Sequence, residues 1–426
     1  MSWDDQSPPH DVPPAPEDPV VTETGPAPRG ADDRLWIDVT ASFHWRRAPS
    51  GITRVEQECV RWALDAVPDQ VRFCLYDLDR QAWFSMPHDE ARAVLARAYG
   101  PDGSAVAETV SDWAPAEPAI TFAPGERYLC LSADQTPERI AALFDAHRQQ
   151  GLRVFGIVYD LIQILFPHFY WRHADQGCAR YLTDMAWMAE HLVCISARTR
   201  DDLLGFYDTV GVSAPPLSLV RLGDELPPAA QWPCSPEVQA LVDAGTPFIL
   251  VVGTLEIRKN HEVLYRALLH LLAQGVEDLP LLVFTGMRGW RIDDLLASIE
   301  LDPRVQGRIR LISHASDADV AALYRHCRFT AFPSQYEGWG LPVAESLAYG
   351  RVCLAANAGS VPEIAPGLTD LIAPHDVQAW AQRMLAYSRD TALREARERE
   401  IVAGYRVTPW RETAAVIVRR ALTGGG

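Results

Sequence analysis

The 426-residue chain carries a formal net charge of −17, with 48% apolar and 22% charged residues, a globular balance in a chain long enough for two cores. That acidity argues against coating nucleic acid, which needs basic surface, yet leaves room for a local basic cleft. No apolar run approaches the roughly 18 residues of a bilayer span, so peripheral membrane contact stays open and insertion does not.

Residues 1–33 are rich in proline and acid, lack a charged-then-apolar leader pattern, and are predicted to be disordered. From Arg34 onward, short apolar runs alternate with helical patterns. LWIDVT (35–40), RYLCLS (127–132), RVFGIVYD (153–160) and HLVCIS (191–196) read as strands buried on both faces. Between them, ITRVEQECVRWAL places Ile52, Val55, Cys59 and Trp62 on one helical face, and PERIAALFDAHRQQG predicts a helix stopped at Gly151.

The alternation lapses at the proline-rich stretch 227–238 and then restarts. PFILVVG (247–253), PLLVFTG (280–286), RIRLIS (308–313), FTAFPS (329–334) and RVCLAAN (351–357) predict a second series of buried strands, separated by helices such as HEVLYRALLHLLAQG. Two β/α series predict an α/β protein of two doubly wound, Rossmann-like domains with parallel sheets facing a cleft. Ligands in such folds bind beyond the carboxyl ends of the strands. Cys59, Cys74, Cys130, Cys178, Cys194, Cys234, Cys327 and Cys353 show no metal-ligand spacing. They read as free thiols of a cytoplasmic protein.

The stretch YEGWGLPVAESLAYG (336–350) begins where a predicted strand ends. Gly338 and Gly340 allow close backbone approach, Leu341-Pro342 starts a helix, and Gly350 stops it. The helix amides then form an anion site, and Glu337 and Glu345 are placed to accept hydrogen bonds from sugar or ribose hydroxyls. In an acidic chain, two glutamates at this spacing alone would read as a solvated charge and a helix-dipole partner. The strand, glycines, proline and helix together reverse that weighting.

In VVGTLEIRKNHEVL, a strand ends at Gly253 and the Arg258-Lys259 pair precedes a helix, which suits a diphosphate; an exposed basic turn is the competing reading. FHWRRAPSGITRVEQE gathers Arg46, Arg47 and Arg54 around Ser50-Gly51, again before a helix, whose amides are placed to face the same phosphates across the cleft; a solvated basic loop is the competing reading. Asp160, at a strand end, either meets an acceptor hydroxyl or caps the next turn. His168 reads as a loop residue. Ser196 and Ser316 read as helix N-caps, and Asp317-Ala-Asp319 as capping rather than a metal-binding pair. Trp171 and Trp187 read as core more readily than as a membrane-facing pair.

YEGWGLPVAESLAYG resembles the E-x7-E segment of the retaining GT-B glycosyltransferases of family 4, a resemblance strongest over residues 248–362. It implies that Glu337 meets the donor sugar and Glu345 the nucleotide ribose. It also implies that Gly253, Thr254, Gly338, Trp339, Gly340 and Leu341 line the donor site. VVGTLEIRKNH resembles the family's diphosphate-gripping motif. Thr254 stands where relatives often carry arginine, which leaves Arg258 and Lys259 to hold the charge. PSGITRV is similar to a loop of polysaccharide-building members, often users of GDP-mannose, which makes Gly51 a donor contact and Arg54 a weaker one. Tyr159 replaces the histidine that many relatives place before Asp160.

The resemblance implies an acceptor-side domain over 34–228, a nucleotide-sugar domain over 229–405, and a terminal helix over 406–426 that returns to the first domain. The implied activity is metal-independent transfer, without a cofactor, of a sugar from a nucleotide-sugar to a glycan or lipid-linked saccharide in polysaccharide biosynthesis. The lead donor is GDP-mannose; the site is cytoplasmic or at the inner membrane face; no oligomeric state is implied. A non-catalytic sugar-nucleotide sensor, an epimerase and a phosphorylase are the alternatives. The last needs a pyridoxal-binding lysine in a chain where lysine is scarce.

Overall fold

The computed structural model describes residues 34–47, 51–97, 105–110, 113–116, 118–133, 135–225 and 234–424. The stretch expected to be disordered, 1–33, and Ser50 of the proposed anion loop lie outside them. The first sheet contains β1 (Leu35–Asp38), β2 (Val71–Asp77), β3 (Ala82–Met86), β4 (Arg127–Cys130), β5 (Arg153–Val158), β6 (Ala189–Cys194) and β7 (Leu217–Leu219). Its order is β3-β2-β1-β4-β5-β6-β7, parallel except for the β2–β3 hairpin. The second contains β8 (Phe248–Val252), β9 (Leu281–Thr285), β10 (Ile309–Ile312), β11 (Phe329–Phe332), β12 (Cys353–Ala356) and β13 (Asp370–Ile372), ordered β10-β9-β8-β11-β12-β13. Its recorded strand pairs are all parallel. The chain is thus α/β with two Rossmann-like units, and strand order reverses at β1/β4 and at β8/β11. A crevice opens at such a reversal because the flanking connections leave in opposite directions.

The expected strands form, each a residue or two shorter at its end than its apolar run. β1, β4, β11 and β12 are buried at every residue. The helix Ile52–Ala66 buries Val55, Cys59 and Trp62 on the predicted face. Gly151, at φ 70°, closes Pro137–Gln150. Ser196 accepts the Thr199 amide, and Ser316 and Asp319 form a reciprocal capping box. All eight cysteines are free thiols.

Four strands were not anticipated. β2 and β3 form an edge hairpin whose turn exposes Leu78, so its pattern mixes buried and wet positions. β7 and β13 are three-residue edge strands, too short to show periodicity. Trp171 and Trp187 depart from the core expectation, with 63% and 67% of their surface exposed.

The helix Trp410–Thr423 packs on Ile52–Ala66 and β4 of the first unit. Thr413 donates to the Arg221 carbonyl at 2.7 Å, and Arg419 lies over the Trp62 ring. Among the described residues no helix is long and apolar enough to cross a membrane.

Beneath the first reversal, Arg139 contacts Asp38 at 2.6 Å, and both are essentially inaccessible. Tyr128 donates its hydroxyl to the same Asp38 oxygen. Burial would raise the Asp38 carboxyl, but Arg139 and the hydrogen bonds from Thr40 and Tyr128 hold it below its usual value. Removing one member of such a pair strands a buried charge. Arg139→Leu is therefore expected to cost about 3–5 kcal/mol of stability, read as a lowered urea midpoint. A loss within about 0.5 kcal/mol, the range of an ordinary surface substitution, contradicts this.

Candidate active site

Residues at the carboxyl ends of β8, β9, β10 and β11, and those facing them from the first unit, enclose a cavity of about 570 Å³. It lies at the second sheet's reversal point. Gly51, Arg54, Asp160, Gly253, Thr254, Arg258, Lys259, Glu337, Gly338, Trp339, Gly340, Leu341 and Glu345 all line it. The sequence-based site residues are therefore brought together in one place.

Glu337 anchors one end. Its Oε1 lies 2.6 Å from Lys259 Nζ and 2.8 Å from an Arg258 nitrogen, and accepts from Ser334 Oγ at 2.6 Å. Arg258 also donates to the Tyr336 carbonyl at 2.8 Å and to Glu256 at 2.7 Å. The cations are thus not bare, as the sequence suggested; Glu337 already compensates both. Burial alone would raise the Glu337 carboxyl, but Arg258 and Lys259 outweigh it and hold the group at about 2. Burial draws the Lys259 ammonium down, against the opposing pull of Glu337.

Their capacities differ. Most of the Arg258 fork is committed to protein acceptors. Lys259 has one hydrogen-bond partner among the described residues, Glu337, and its ammonium also faces the Phe332 ring at 5.2 Å. Two of its three N–H donors therefore remain for a ligand. Lys259 is also the only lysine in the sequence.

Glu345 anchors the other end. Tyr324 donates its hydroxyl to Glu345 at 3.0 Å. Burial raises this carboxyl, opposed by Arg54 and by the Tyr324 hydrogen bond. The helix Leu341–Ala348 begins after Gly340, whose φ of 119° disfavours any side chain, with Pro342 in its first turn. It offers fewer free amides than expected: Pro342 has no N–H, and Val343 donates to the Gly340 carbonyl. The N–H groups of Leu341 and Thr254 have no acceptor among the described residues. Two backbone donors, one at the start of the helix Leu341–Ala348 and one just after β8, thus join Lys259 as candidate anion contacts.

Gly338 has a different use from the one inferred. A Cβ there would lie 2.0 Å from the Tyr159 carbonyl, so the close approach is to the first unit's backbone. Tyr159 itself is buried, donating to the Leu131 carbonyl at 2.7 Å. Asp160 accepts the Ile162 amide at 3.0 Å, so it caps its turn while also lining the cavity. His168 is exposed, as a surface residue would be, but sits in a single 3-10 turn, Pro167–Phe169, rather than in a loop.

Several participants gave little sequence signal. Asp317 forms a 3.1 Å ion pair with Arg54 across the cleft, which identifies the acid beside the capping box as a domain contact. Tyr336 donates to Asp202 at 2.5 Å and accepts from Arg198 Nε at 2.6 Å. Glu363 accepts the amides of Ala197 and Arg198, each at 2.7 Å, while Ser360 donates to the Glu337 and Trp339 carbonyls. For these last two residues the sequence offers one hint: they lie in GSVPE (359–363), just after the predicted strand RVCLAAN. Among the described residues, no group of three or more His, Cys, Asp or Glu side chains is arranged to hold a metal ion.

Two facing Rossmann-like units with an anion-accepting cavity define the GT-B architecture. Residues 237–405 match the family described as glycosyl transferases group 1, so the second unit is similar to the glycosyltransferases of that family. O-antigen chain mannosyltransferase B of Escherichia coli is 29% identical over 244 residues, 57% of this chain and 63% of that protein. Serotype-specific mannosyltransferase WbdA of Escherichia coli is 28% identical over 224 residues, 51% of this chain and 27% of that one. The matches therefore span less than two thirds of either relative. In fold, the chain resembles Anabaena HepE, solved with UDP, at a TM-score of 0.56 and 15% identity over 92% of this chain and 96% of that one. It also resembles a trehalose 6-phosphate synthase from Burkholderia multivorans, with a TM-score of 0.54 and 15% identity over 71% and 72% of the two chains.

The Glu337 arrangement makes a titration prediction. Its folded value of about 2 lies below the ordinary 4.5. Its ionisation therefore contributes stability that is fully present above pH 4.5 and lost as pH falls toward 2. Removing the ammonium in Lys259→Met is expected to move the Glu337 midpoint upward by at least about one unit, the scale set by a nearby opposite charge. Carboxyl 13C shifts against pH read this directly, and an unmoved midpoint rules out the compensation.

Proposed function

We propose that the protein is a retaining glycosyltransferase. It moves a sugar from a nucleotide-sugar to a hydroxyl of a glycan or lipid-linked saccharide in polysaccharide biosynthesis, with mannose from GDP-mannose as the leading donor. The observation that carries this reading is the convergence of Glu337, Lys259 and the free Thr254 and Leu341 amides in one cavity, with Glu345 at its far end. The two Escherichia coli relatives are mannosyltransferases, which supports mannose.

The required chemistry follows from the charges. As the bond from the anomeric carbon to the diphosphate breaks, negative charge collects on the leaving oxygens. Lys259 and the two amides answer that charge with donors already in place, which costs no reorganisation at the moment of reaction. Glu337 and Ser334 hold the ammonium in position. Glu337 also accepts from donor-sugar hydroxyls, while Glu345, oriented by Tyr324, accepts from the ribose. Retention places acceptor attack on the face that the diphosphate leaves, where a phosphate oxygen takes the acceptor proton. Asp160 stands on the acceptor side, with Gly51 and Arg54 facing the donor from the first unit. The free cysteines are compatible with the cytoplasmic face of a membrane, where such donors are available.

A chain that uses arginine at nearly every basic position but lysine here points to a need for a compact, freely turning ammonium. Lys259→Ala is expected to lower transfer by about 100-fold or more, the scale of losing one donor to a developing oxyanion, while lowering the melting temperature by only a few degrees, the scale of an upward shift of about one unit at Glu337. Lys259→Arg is expected not to restore it. A thermal-shift panel of GDP-, UDP-, ADP- and dTDP-sugars identifies the base, and product analysis follows transfer. Near-normal turnover by Lys259→Ala removes Lys259 from the mechanism. Tight donor binding with no consumption in the presence of saccharide acceptors makes the protein a sensor instead.

A further inference from the structure

Where the two units meet at the cavity mouth, three aromatic rings form a stepped ledge, in which Tyr170 and Trp290 are tilted by 37° and Trp171 stands nearly perpendicular to both. Trp290, from the second unit, lines the cavity. Tyr170 lies 5.7 Å from it, centroid to centroid, and Trp171 lies 6.0 Å from it, both contributed by the first unit. Tyr170 and Trp171 meet edge to face at 6.0 Å. The ledge therefore runs from the reaction chamber to solvent, ending at Trp171, an indole that is 63% exposed.

The inner ring is held firmly. The loop carrying Trp290 forms a short ladder with the residues before Arg258: Leu255 donates to Met287, Gly289 to Leu255, and Ile257 to the Trp290 carbonyl. A Cβ on Gly289 would lie 2.8 Å from a Thr254 methyl, so the loop is pressed against the anion-binding turn. Trp290 Nε1 donates to the Phe169 carbonyl at 2.7 Å, which fixes the indole and ties the two units together. An aromatic surface this constrained is not serving as an adaptable filler.

Beside the rings stands an unspent polar group. The Tyr170 side chain is half-buried and its hydroxyl, which has no hydrogen-bond partner among the described residues, is reached by solvent and so is open to a ligand. Flat apolar ring faces with a hydroxyl alongside match a pyranose, which has C–H faces and equatorial hydroxyls. A lipid acyl chain has no use for the hydroxyl. A membrane surface would meet Trp171 but not Trp290, which faces the cavity.

We propose that Trp290, Tyr170 and Trp171 form a pyranose-stacking subsite that holds the acceptor glycan's sugars behind the reacting residue. This rests on the transferase reading and adds a direction to it: the acceptor enters over the ledge, and its reacting end reaches Asp160 and the donor. Affinity then rises with acceptor length up to the span of the ledge. Because the platform draws on both units, a bound chain also favours the closed cleft.

The test is binding of manno-, gluco- and galacto-oligosaccharides, each as the monosaccharide and the tetrasaccharide, to the full chain, followed by tryptophan fluorescence and calorimetry. For at least one series, the tetrasaccharide is expected to bind at least about tenfold more tightly than the monosaccharide, the contribution of a well-packed aromatic anchor. Trp171→Ala is expected to remove most of that gain without altering the melting-temperature shift given by the nucleotide donor. Trp290→Phe, which keeps a ring but loses the bond to Phe169, is expected to retain part of it. No length dependence in any series, or a gain that survives Trp171→Ala, overturns the subsite. So does a Trp171→Ala variant that loses sedimentation with anionic phospholipid vesicles while keeping the oligosaccharide gain, since that outcome assigns the ledge to a membrane. Failure of the subsite leaves donor binding and consumption untouched. Failure of the transferase reading appears as no donor consumption with any acceptor.

Discussion

One interaction sets the terms for the rest of the site: the buried contact of Glu337 with Lys259 and Arg258. A buried carboxylate is costly unless compensated, and a buried ammonium is costly for the same reason. Together they lie 2.6 Å apart at the end of two adjacent strands, where the loops after β8 and β11 come side by side because strand order reverses there. The fold thus brings the charges together, and the charges fix the loops. Ser334 and Glu256 extend the arrangement, so that each ion sits in a lattice of partners rather than a single pair.

This compensation explains how a cation can wait in a shielded cavity without a ligand. Lys259 spends one donor on Glu337 and keeps two, whereas Arg258 spends its fork on Glu337, Glu256 and the Tyr336 carbonyl. The arginine therefore serves mainly to shape the loop and hold Glu337 ionised, and the lysine carries the readiness to meet an anion. Two neighbouring residues of like charge have unlike functions because most of the arginine's donors are committed to protein acceptors and most of the lysine's are not.

Much of this was legible in the sequence because it is local. Strand, glycine turn, proline and helix follow one another within YEGWGLPVAESLAYG, and the ends of buried apolar runs locate the strand termini where ligands bind. Non-local features were harder to read. Nothing near Gly338 indicates that the Tyr159 carbonyl will press against it, and nothing near Asp317 announces Arg54 as a partner 263 positions away. The edge strands β7 and β13 are too short for periodicity. Trp171 and Trp187 are apolar residues on the surface, which defeats any rule that assigns aromatics to cores. The helix amides were overcounted because Pro342 has no N–H to offer and because the sequence does not show that Val343 would donate to the Gly340 carbonyl.

The contacts that sequence reasoning missed share a location: nearly all join one unit to the other. Arg54 with Asp317, Glu363 with the amides of Ala197 and Arg198, Tyr336 with Asp202, and Trp290 with Phe169 ring the cleft. Most are polar, and several are exposed, so each contributes modestly and can be exchanged for water. An interface of this kind suits a cleft that must open to admit a donor and close to exclude water. Arg54 is the clearest case, since it is pulled by Asp317 on the rim and by Glu345 within. A ligand phosphate entering between those acids would compete with the rim for the same guanidinium. The cost of closing would then depend on what fills the cavity, so that the charge arrangement that stabilises a bound diphosphate also couples its arrival to the meeting of the two domains.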